Sequence, residues 1–451
     1  MNQFFSAKKC TAFSTLSPTQ FVVLAYAATV SVGAILLRLP LSTVGSGLSW
    51  IDALFMAMSA ICVTGLSVIS IGFELTLFGQ LVILTLIQIG ALGVMTMSTI
   101  FAMLLGRRIG LRDRLFLKED LNQNNISGIV RLVRYVLGLT FIIEVLGAAL
   151  LFLFFSSSLT PARAGYFAVF HAISAFANAG FDLFGNSFEG FVTHRPILLV
   201  IAALFILGGL GFTVLLELLH YRSIRVVSLH TRIVLLSTVS LILVGWVAVF
   251  LLEYANSETL GGLNLVQKIW ASFFTAVTPR TAGFNVVPTG NLTTASLFLI
   301  LFFMFVGASP GSTGGGIKTT TFVSVLLGCW RTITGKTDAE VANRRLSRSQ
   351  IDRAWAIILL ALMWVACVTL VLLVVEGFDI VPTLFEVVSA FGTVGLSLGI
   401  TADLSTLGKS LLVITMFLGR VGPMTLALAL GQRGSRQQSN TRMPEEKISL
   451  G

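Results

Sequence analysis

Four short motifs, each built around a single glycine, carry the residue types in this chain that could do ion chemistry. They read Val63-Thr64-Gly65-Leu66, Asn178-Ala179-Gly180-Phe181, Thr281-Ala282-Gly283-Phe284 and Thr393-Val394-Gly395-Leu396. None of them contains an acidic side chain or a set of metal ligands. Glycine adopts positive φ angles without strain, so the backbone carbonyls on either side of it can turn in one direction. A ring of such carbonyls can replace the hydration shell of a desolvated cation.

The four motifs share a register that indicates an internal repeat. A phenylalanine stands ten residues before each glycine, and successive glycines lie 115, 103 and 112 residues apart. The phenylalanines are Phe55, Phe170, Phe273 and Phe385. The competing interpretation is that each glycine only lets two helices pack closely. Four glycines in one register behind four phenylalanines favour a fourfold repeat with a common function.

Eight apolar runs are long enough to be membrane spans, which need about 17–25 residues. They cover residues 20–39, 76–105, 132–155, 196–219, 231–252, 292–328 with an interruption, 354–375 and 406–430. Between the members of each pair lies a shorter apolar stretch that ends in a glycine motif. These stretches are Asp52–Leu66, Phe167–Phe181, Trp270–Phe284 and Pro382–Leu396.

The shorter stretches cannot cross a bilayer. About 11 helical residues rise only ~16 Å, whereas the hydrocarbon core is ~30 Å thick. We therefore expect four re-entrant half-helices, each followed by extended backbone that lines a water-filled cavity or is buried in protein. Each would direct its C-terminal end, with about −0.5 elementary charge, towards the middle of the membrane. Four such units around one axis would make a pore that favours a monovalent cation.

Composition agrees with this architecture. Hydrophobic residues make up 55% of the chain and charged residues 11%, whereas soluble domains carry roughly 25% charged residues. The sequence predicts an all-α polytopic membrane protein, a single membrane domain over residues 1–451. Eight transmembrane helices and four re-entrant half-helices would form four helix–pore-loop–helix repeats around a pseudo-fourfold pore. The repeats would cover about 18–108, 130–222, 229–332 and 352–431, followed by a cytoplasmic tail, 432–451.

The basic residues predict the orientation. If the N-terminus is cytoplasmic, the inner segments hold 22 of the 30 Lys and Arg residues. Those segments are 1–19, 106–134, 220–232, 331–353 and 432–451. This positive-inside bias places both termini in the cytoplasm. It also explains the net charge of +10 without a nucleic-acid partner, so the expected surroundings are a lipid bilayer.

The sixth apolar run is interrupted by a segment rich in glycine, Gly307–Thr321. Proline and clustered glycines break a helix, and a break at membrane depth must face protein or water. A phosphate-binding loop is not favoured, because Ile317 separates Gly316 from Lys318 and no strand precedes the segment. Candidate functional residues here are Gly307, Ser309, Pro310, Gly311, Ser312, Thr313, Gly314, Gly315, Gly316 and Lys318.

One arginine lies inside the last apolar run. Burying Arg420 in a membrane costs about 2.5–3.5 kcal/mol on insertion scales, so such a residue is a functional-site hypothesis by default. A positive charge beneath a cation-binding ring would raise the barrier to permeation and could restrain the glycine-rich segment. The structural alternative is an ion pair with Glu144 or Glu217, or bonds to backbone carbonyls.

Several other polar residues lie near the motifs. Arg280, next to the third motif, could brace it from outside, whereas His171 is expected to be a packed helix residue. Six acids are candidates for an outer vestibule: Asp52, Glu74, Asp182, Glu189, Glu386 and Asp403.

Over nearly its whole length the chain resembles the membrane subunits of the bacterial Ktr/Trk potassium transporters, and most closely the KtrB type. The most specific marks are the four glycine motifs, the segment Ser309–Thr321 and the motif Leu418-Gly419-Arg420-Val421-Gly422-Pro423. The resemblance implies potassium uptake across the bacterial inner membrane, with the four motifs as a carbonyl-lined selectivity filter. It also implies that Gly307–Thr321 is a mobile gate and that Arg420 is a barrier to permeation.

The resemblance further implies partners. Members of the family work with a cytosolic, ring-forming, nucleotide-binding subunit (KtrA-like) that holds ATP or ADP, and we expect the basic loops 106–134 and 331–353 to be its docking faces. The family forms homodimers, partly through a tail equivalent to Gln432–Gly451. No cofactor is expected in this chain itself. Uptake in the family is commonly stimulated by sodium, and the sequence does not locate a sodium site.

Three alternatives remain at this stage. A sodium or ammonium pore of low selectivity would use the same carbonyl ring, because such rings discriminate by subtle geometry. An alternating-access transporter predicts inverted repeats, whereas the repeats here all begin on the inside. An intramembrane enzyme would need a nucleophile with its base, or metal ligands within the spans, and only His171 of the four histidines is near membrane depth.

Overall fold

The computed structural model describes residues 18–45, 47–93, 96, 129–220, 227–335, 338–341 and 344–422. Three predicted regions fall wholly or mostly outside these ranges: the N-terminal segment 1–17, the basic loop 106–134 and the tail 432–451. Pro423 and the last part of the eighth apolar run also lie outside them.

Helices make up most of the described chain. They are α1 Pro18–Arg38, α2 Trp50–Cys62, α3 Ile71–Glu74, α4 Leu77–Leu92, α5 Ile129–Phe155, α6 Pro161–Phe176, α7 Arg195–Leu210, α8 Phe212–Leu219, α9 Leu229–Glu253, α10 Leu265–Val277, α11 Thr294–Phe305, α12 Thr319–Ile333, α13 Arg348–Glu376, α14 Ile380–Gly392 and α15 Thr406–Val421. Short 3₁₀ turns cover Pro40–Ser42, Glu189–Phe191 and Thr289–Asn291.

A small hairpin interrupts the helical pattern. Strands β1, Ala339–Val341, and β2, Arg344–Leu346, pair antiparallel. They lie within the predicted inner segment 331–353, where the sequence analysis expected no strand. The first strand has the sequence Ala-Glu-Val and the second Arg-Arg-Leu. The helix α13 begins directly afterwards at a capping box, in which Ser347 and Gln350 bond each other's backbone N–H groups.

Three helices in the described part of the chain are long and apolar enough to cross a membrane alone: Val130–Phe155, Leu229–Glu253 and Arg348–Glu376. The pair α7 and α8 together forms a fourth candidate. The remaining predicted spans correspond to shorter apolar helices, α1, α4, α11 and α15, and two of those runs continue into residues outside the described ranges. Eight spans therefore stay a prediction.

The predicted span over 196–219 is broken rather than straight. The helix breaks at Gly211, and α7 and α8 meet at an angle of 101°. Gly211 has φ 95° and ψ 137°, a conformation outside the helical region that only glycine adopts readily. Uninterrupted hydropathy concealed this bend, because both arms of the break are apolar.

Four helices of half length precede the four glycine motifs: α2, α6, α10 and α14. They run for 13, 16, 13 and 13 residues, so α6 begins six residues earlier than the predicted stretch. Ser49 caps α2 by accepting from the N–H of Asp52, and Asn264 forms a capping box with Gln267 at the start of α10. These caps satisfy N–H groups that the first helical turn leaves unpaired.

The aromatic register differs in one helix. Phe55, Phe170 and Phe385 are completely buried, as their shared position suggests. In α10 the completely buried ring is Phe274, whereas Phe273 packs partly exposed against the core. Phe273 is therefore less buried than its three counterparts, although the position nine residues before the glycine is completely buried in all four helices.

Candidate functional site

Each half-length helix ends in the same backbone conformation. The residue two positions before each glycine is left-handed: Val63 (φ 58°), Asn178 (62°), Thr281 (65°) and Thr393 (49°). The glycines have φ values of 90°, 70°, 75° and 93°. Positive φ is unusual for β-branched residues such as valine and threonine. Such conformations persist only where their surroundings enforce them, which marks the four segments 63–66, 178–181, 281–284 and 393–396 (the glycine loops 1 to 4) as a specialised site.

The four glycine loops form a closed ring. A Cβ atom added to Gly180 would lie 3.0 Å from the Ala282 carbonyl oxygen, and one added to Gly283 would lie 2.5 Å from the Val394 oxygen. A Cβ added to Gly395 would meet the Thr64 oxygen. One added to Gly65 would meet the Ala179 oxygen. Each glycine therefore faces the carbonyl group that precedes the glycine of the next loop, in cyclic order.

Hydroxyl groups on the helices hold these loops. Ser59 and Ser389 each accept a hydrogen bond of 3.1 Å from the N–H of the glycine in their own loop. Ser174 donates to the Phe181 carbonyl at 2.7 Å. In loop 3 the hydroxyl comes from Thr278, which donates to the Phe284 carbonyl at 2.5 Å, because valine occupies the serine position.

A cavity of about 450 Å³ opens on the side of the ring that the predicted orientation places outside, and we call it the outer cavity. Its lining includes all four loop glycines, Gly65, Gly180, Gly283 and Gly395. Of the six acids predicted to face a vestibule, Asp182 and Glu189 line it. Burial raises the pKa of both carboxyl groups above their ordinary values, while hydrogen bonds to each oppose the shift.

The other four predicted acids do not line the outer cavity. Asp52 forms an ion pair with Lys409, with 2.8 Å between Oδ1 and Nζ. Glu74 accepts a hydrogen bond from the Ser70 backbone N–H at 2.8 Å. Asp403 is exposed elsewhere, and Glu386 is completely buried within α14.

The predicted interruption of the sixth apolar run is present and contacts the ring on the side that the predicted orientation places inside. The helix α11 ends at Phe305 and α12 begins at Thr319, so Thr319–Thr321 of the predicted segment are helical. We call residues 307–318 the inner loop.

The inner loop contacts three of the four glycine loops. The Thr313 hydroxyl donates to Asn178 Oδ1 of loop 2 at 3.1 Å. The Gly315 N–H donates to the Thr393 hydroxyl of loop 4 at 2.9 Å. A Cβ added to Gly314 would collide with the Thr281 side chain of loop 3. The glycines of the inner loop thus allow its backbone to pack directly against the ring.

Backbone hydrogen bonds fasten the inner loop to the bends in neighbouring helices. Ser309 N–H donates to the Gly209 carbonyl at 3.1 Å, and Phe212 N–H donates to the Gly311 carbonyl at 2.9 Å. On the opposite side, Gly316 N–H donates to the Gly419 carbonyl at 3.2 Å. The inner loop therefore bridges α7 and α8 on one side and α15 on the other.

Arg420 bonds to backbone carbonyls. Its guanidinium donates to the carbonyl of Thr313 in the inner loop and to that of Gly90 in α4. The predicted acidic alternatives are engaged elsewhere: Glu144 accepts from Gln88 at 3.1 Å, and Glu217 accepts from Ser228. The arginine therefore ties the inner loop to two helices.

Of the remaining predicted residues, Lys318 bonds within the inner loop, whereas Arg280 and His171 are buried elsewhere. Lys318 donates from Nζ to the Gly314 carbonyl at 2.6 Å, which brings a second positive side chain to the inner loop. Arg280 is buried and donates to the Thr238 hydroxyl at 3.3 Å, so it contacts α9 rather than the outer cavity. His171 is completely buried and packed, as its position on the helix suggested.

A second glycine pattern, which was not among the predicted features, follows three of the glycine loops. The helices after loops 1, 2 and 4 end in G-x-x-G: Gly90 to Gly93, Gly208 to Gly211 and Gly419 to Gly422. The last glycine of each has nearly the same conformation, with φ between 88° and 95° and ψ of 136° or 137°. The first glycine of each packs on a carbonyl of the preceding half-length helix: Ile61, Phe176 and Phe391. The repeated spacing was the available signal.

Comparison with known proteins identifies similar chains over nearly the full length. A family model described as a cation transport protein, TrkH, matches residues 5–436. The chain is 42% identical over 439 residues to Ktr system potassium uptake protein B of Bacillus subtilis (strain 168), covering 96% of this chain and 97% of that protein. It is 38% identical over 443 residues to the potassium/sodium uptake protein NtpJ of Enterococcus hirae, covering 97% and 98%.

A solved structure is similar in fold. The crystal structure of the potassium transporter TrkH from Vibrio parahaemolyticus superimposes with a TM-score of 0.74 at 20% identity. The match covers 94% of this chain and 86% of the other.

Proposed function

Since this chain belongs to the TrkH family of cation transport proteins, we propose that it carries potassium into the cell across the bacterial inner membrane, with both termini in the cytoplasm. The chain is a membrane transporter and not an enzyme, because its relatives are ion-uptake proteins. The names of the relatives above support potassium as the transported ion.

The proposed path runs through the ring of glycine loops. The observation that carries this proposal is the cyclic contact of Gly65, Gly180, Gly283 and Gly395 with the carbonyls of the next loop. Four helix–loop–helix repeats would surround one pore, and the backbone carbonyls of the loops would serve as the selectivity filter. The outer cavity, with Asp182 and Glu189, would collect cations at its mouth.

We propose that the inner loop and Arg420 form the gate. The loop lies directly beneath the ring, and two positive side chains, Lys318 and Arg420, bond to its carbonyls. A positive charge beside the path opposes the passage of a cation. Displacing the loop would remove the backbone obstruction, move Lys318 away from the path and break the bond between the Thr313 carbonyl and Arg420.

Control by other components follows from the resemblance. We propose a cytosolic, ring-forming, nucleotide-binding subunit as the partner, with ATP or ADP bound there, and a homodimer of this chain. Sodium would stimulate uptake. The relative from Bacillus subtilis is named as part of a Ktr system, which supports a multicomponent assembly.

The test is growth and rubidium uptake in a bacterial strain that lacks its own potassium uptake systems, at low potassium. The full-length chain would be expressed with and without a Ktr-type soluble subunit, and with and without sodium. Rescue that depends on the four loop glycines is the expected result. Absence of uptake in every condition, with the protein shown to be in the membrane, would contradict potassium transport.

A second candidate is a sodium-permeable pore. The relative from Enterococcus hirae is named a potassium/sodium uptake protein, which favours this alternative over ammonium. Uptake of ²²Na⁺ that competes with rubidium in the same cells would support it, whereas sodium that stimulates uptake without entering would favour a potassium pathway.

A further inference from the structure

The fourth half-length helix carries a buried carboxyl group of which only one oxygen accepts a hydrogen bond among the described residues. Glu386 lies in α14 and is completely buried. Its Oε1 accepts a hydrogen bond from the Thr401 hydroxyl. Its Oε2 is also buried and has no hydrogen-bond partner among the described residues. Burying a carboxyl oxygen without a partner is costly, so this atom points to a ligand.

One oxygen of this carboxyl group, Oε1, has a structural role, because it holds the chain that follows loop 4. The residues nine positions before the four loop glycines are Met56, His171, Phe274 and Glu386. The His171 ring accepts a hydrogen bond from the Leu183 backbone N–H at 3.3 Å, which holds the chain just beyond loop 2. The contact of Thr401 with Oε1 holds the chain beyond loop 4 in a similar way. A glutamine could make that contact too, so bracing does not require a negative charge.

Two hydroxyl groups place the carboxyl group close to the outer cavity. Thr401 Oγ1 lies 3.0 Å from Ser397 Oγ, and both residues line the outer cavity. Thr401 is 3% exposed, whereas Ser397 is partly exposed. The three side chains therefore form a cluster of oxygen atoms that leads from the cavity to the buried carboxyl group.

No positive side chain pairs with this carboxyl group in the described part of the chain. The ion pairs there are Arg345 with Asp338 and Lys409 with Asp52. A buried carboxylate without a counter-charge is unstable, so it either takes up a proton or binds a cation.

We propose that Glu386, Thr401 and Ser397 bind a sodium ion beside the outer cavity. Carboxylate and hydroxyl oxygens are hard ligands, which suit hard cations. A single carboxylate matches a single positive charge, and no group of three or more His, Cys, Asp or Glu side chains that could hold a metal ion is present among the described residues. Because Thr401 connects the site to the chain beyond loop 4, an occupied site would stabilise the conformation of that loop. The proposal rests on the contacts of Glu386 and does not depend on the identity of the transported ion.

Thermal unfolding of the purified full-length protein would test this site. The midpoint would be followed during titration with NaCl, with KCl and with choline chloride, at constant ionic strength. Glu386→Gln removes the charge and keeps the bond to Thr401. The matched control is Asp379→Asn, which removes an exposed carboxylate from the N-cap of the same helix and leaves a residue that caps equally well.

We expect sodium to raise the midpoint of the unchanged protein and of Asp379→Asn, because a ligand that binds only the folded state stabilises it. In Glu386→Gln the apparent sodium affinity should fall by about tenfold or more, which corresponds to about 1.4 kcal/mol. A second variant, Thr401→Val, should weaken sodium binding without changing any charge.

An equal sodium response in Glu386→Gln and the unchanged protein would overturn the proposal. So would a midpoint that depends on pH and not on sodium, because the carboxyl group would then simply carry a proton. The potassium titration reports on the glycine loops, so it separates failure of the sodium site from failure of the proposed function.

Discussion

At the scale of single residues, the site depends on the absence of a side chain at the four loop glycines. Each loop glycine lies where a Cβ atom would collide with the carbonyl of the next loop. Each also has a φ angle that other residues rarely adopt. A substitution there therefore changes both the local backbone and the spacing of four carbonyl groups.

Gly283→Ser should relax the preference for potassium over sodium. Its new Cβ would lie 2.5 Å from the Val394 carbonyl oxygen and would force the ring apart. The measurement is competition between rubidium and sodium uptake in whole cells. Gly290→Ser is the matched control, because a Cβ there meets nothing within 4 Å, and it should leave the preference unchanged. Equal selectivity in both variants would contradict the role of the ring.

Arg420→Ala should increase cation flux several-fold. The change removes a positive charge and the hydrogen bonds to the carbonyls of Thr313 and Gly90. Flux of rubidium into proteoliposomes would measure it. Arg420→Lys should give an intermediate flux, because an ammonium group keeps the charge but not the fork geometry of the guanidinium. Arg195→Ala removes an exposed positive charge at the start of α7 and should have no effect. Unchanged flux in Arg420→Ala would argue against a barrier at this position.

At the scale of elements, the inner loop is held mainly by hydrogen bonds, and Ile317 near its end packs in the hydrophobic core. Its backbone bonds to Gly209 and Gly419 at 3.1 and 3.2 Å, and its Thr313 and Gly315 bond to loops 2 and 4. Each hydrogen bond makes a net contribution of only about 0.5–1.5 kcal/mol to stability. An element held in this way can be displaced without unfolding the helices around it.

Removal of residues 311–316 should raise basal flux, because it deletes the backbone that packs beneath the ring. A milder variant is Thr313→Val, which loses the bond to Asn178 and keeps the length of the loop. It should raise flux less than the deletion. Thr320→Val, in the first turn of α12, is the control. If neither loop variant differs from the control in rubidium efflux from proteoliposomes, the inner loop is not the obstruction.

The outer cavity should make uptake sensitive to acid. Burial raises the pKa values of Asp182 and Glu189, so as the pH falls these groups become neutral earlier than ordinary carboxyl groups. Their negative charge attracts cations only above those raised pKa values. Uptake at low potassium should therefore decrease as the external pH falls through them.

The pH profile of rubidium uptake would measure this effect. The double variant Asp182→Asn with Glu189→Gln should show lower uptake at neutral pH and a flatter profile. Asp403→Asn, which changes an acid outside the cavity, should keep the normal profile. An unchanged profile in the double variant would assign the acid sensitivity to other groups.

At the scale of the whole molecule, the ring and the inner loop join segments from opposite ends of the chain. Loop 1 meets loop 4 across more than 300 positions, since Gly65 contacts Gly395. Arg420 connects α15 to Gly90 in α4. The ring and its surroundings are therefore assembled from segments spread over most of the chain, which supports the proposal of one pore.

Local patterns in the sequence were sufficient to predict much of this protein. The hydropathy predicted a helical membrane fold, and the register of the glycines located the four loops. The clustered glycines after Val306 located the break in the sixth apolar run. These features depend on residues close together in the chain, where backbone sterics and apolar periodicity act directly.

Only the tertiary structure decided the contacts between distant segments. It placed Asp182 and Glu189 at the outer cavity and Asp52 in an ion pair, although all three are acids near a glycine motif. It also paired Arg420 with carbonyls rather than with Glu144 or Glu217. Residue type does not distinguish these acids, and the choice depends on how the four glycine loops close into one ring. Closure of the ring brings groups within hydrogen-bond distance of each other although they are far apart in the sequence.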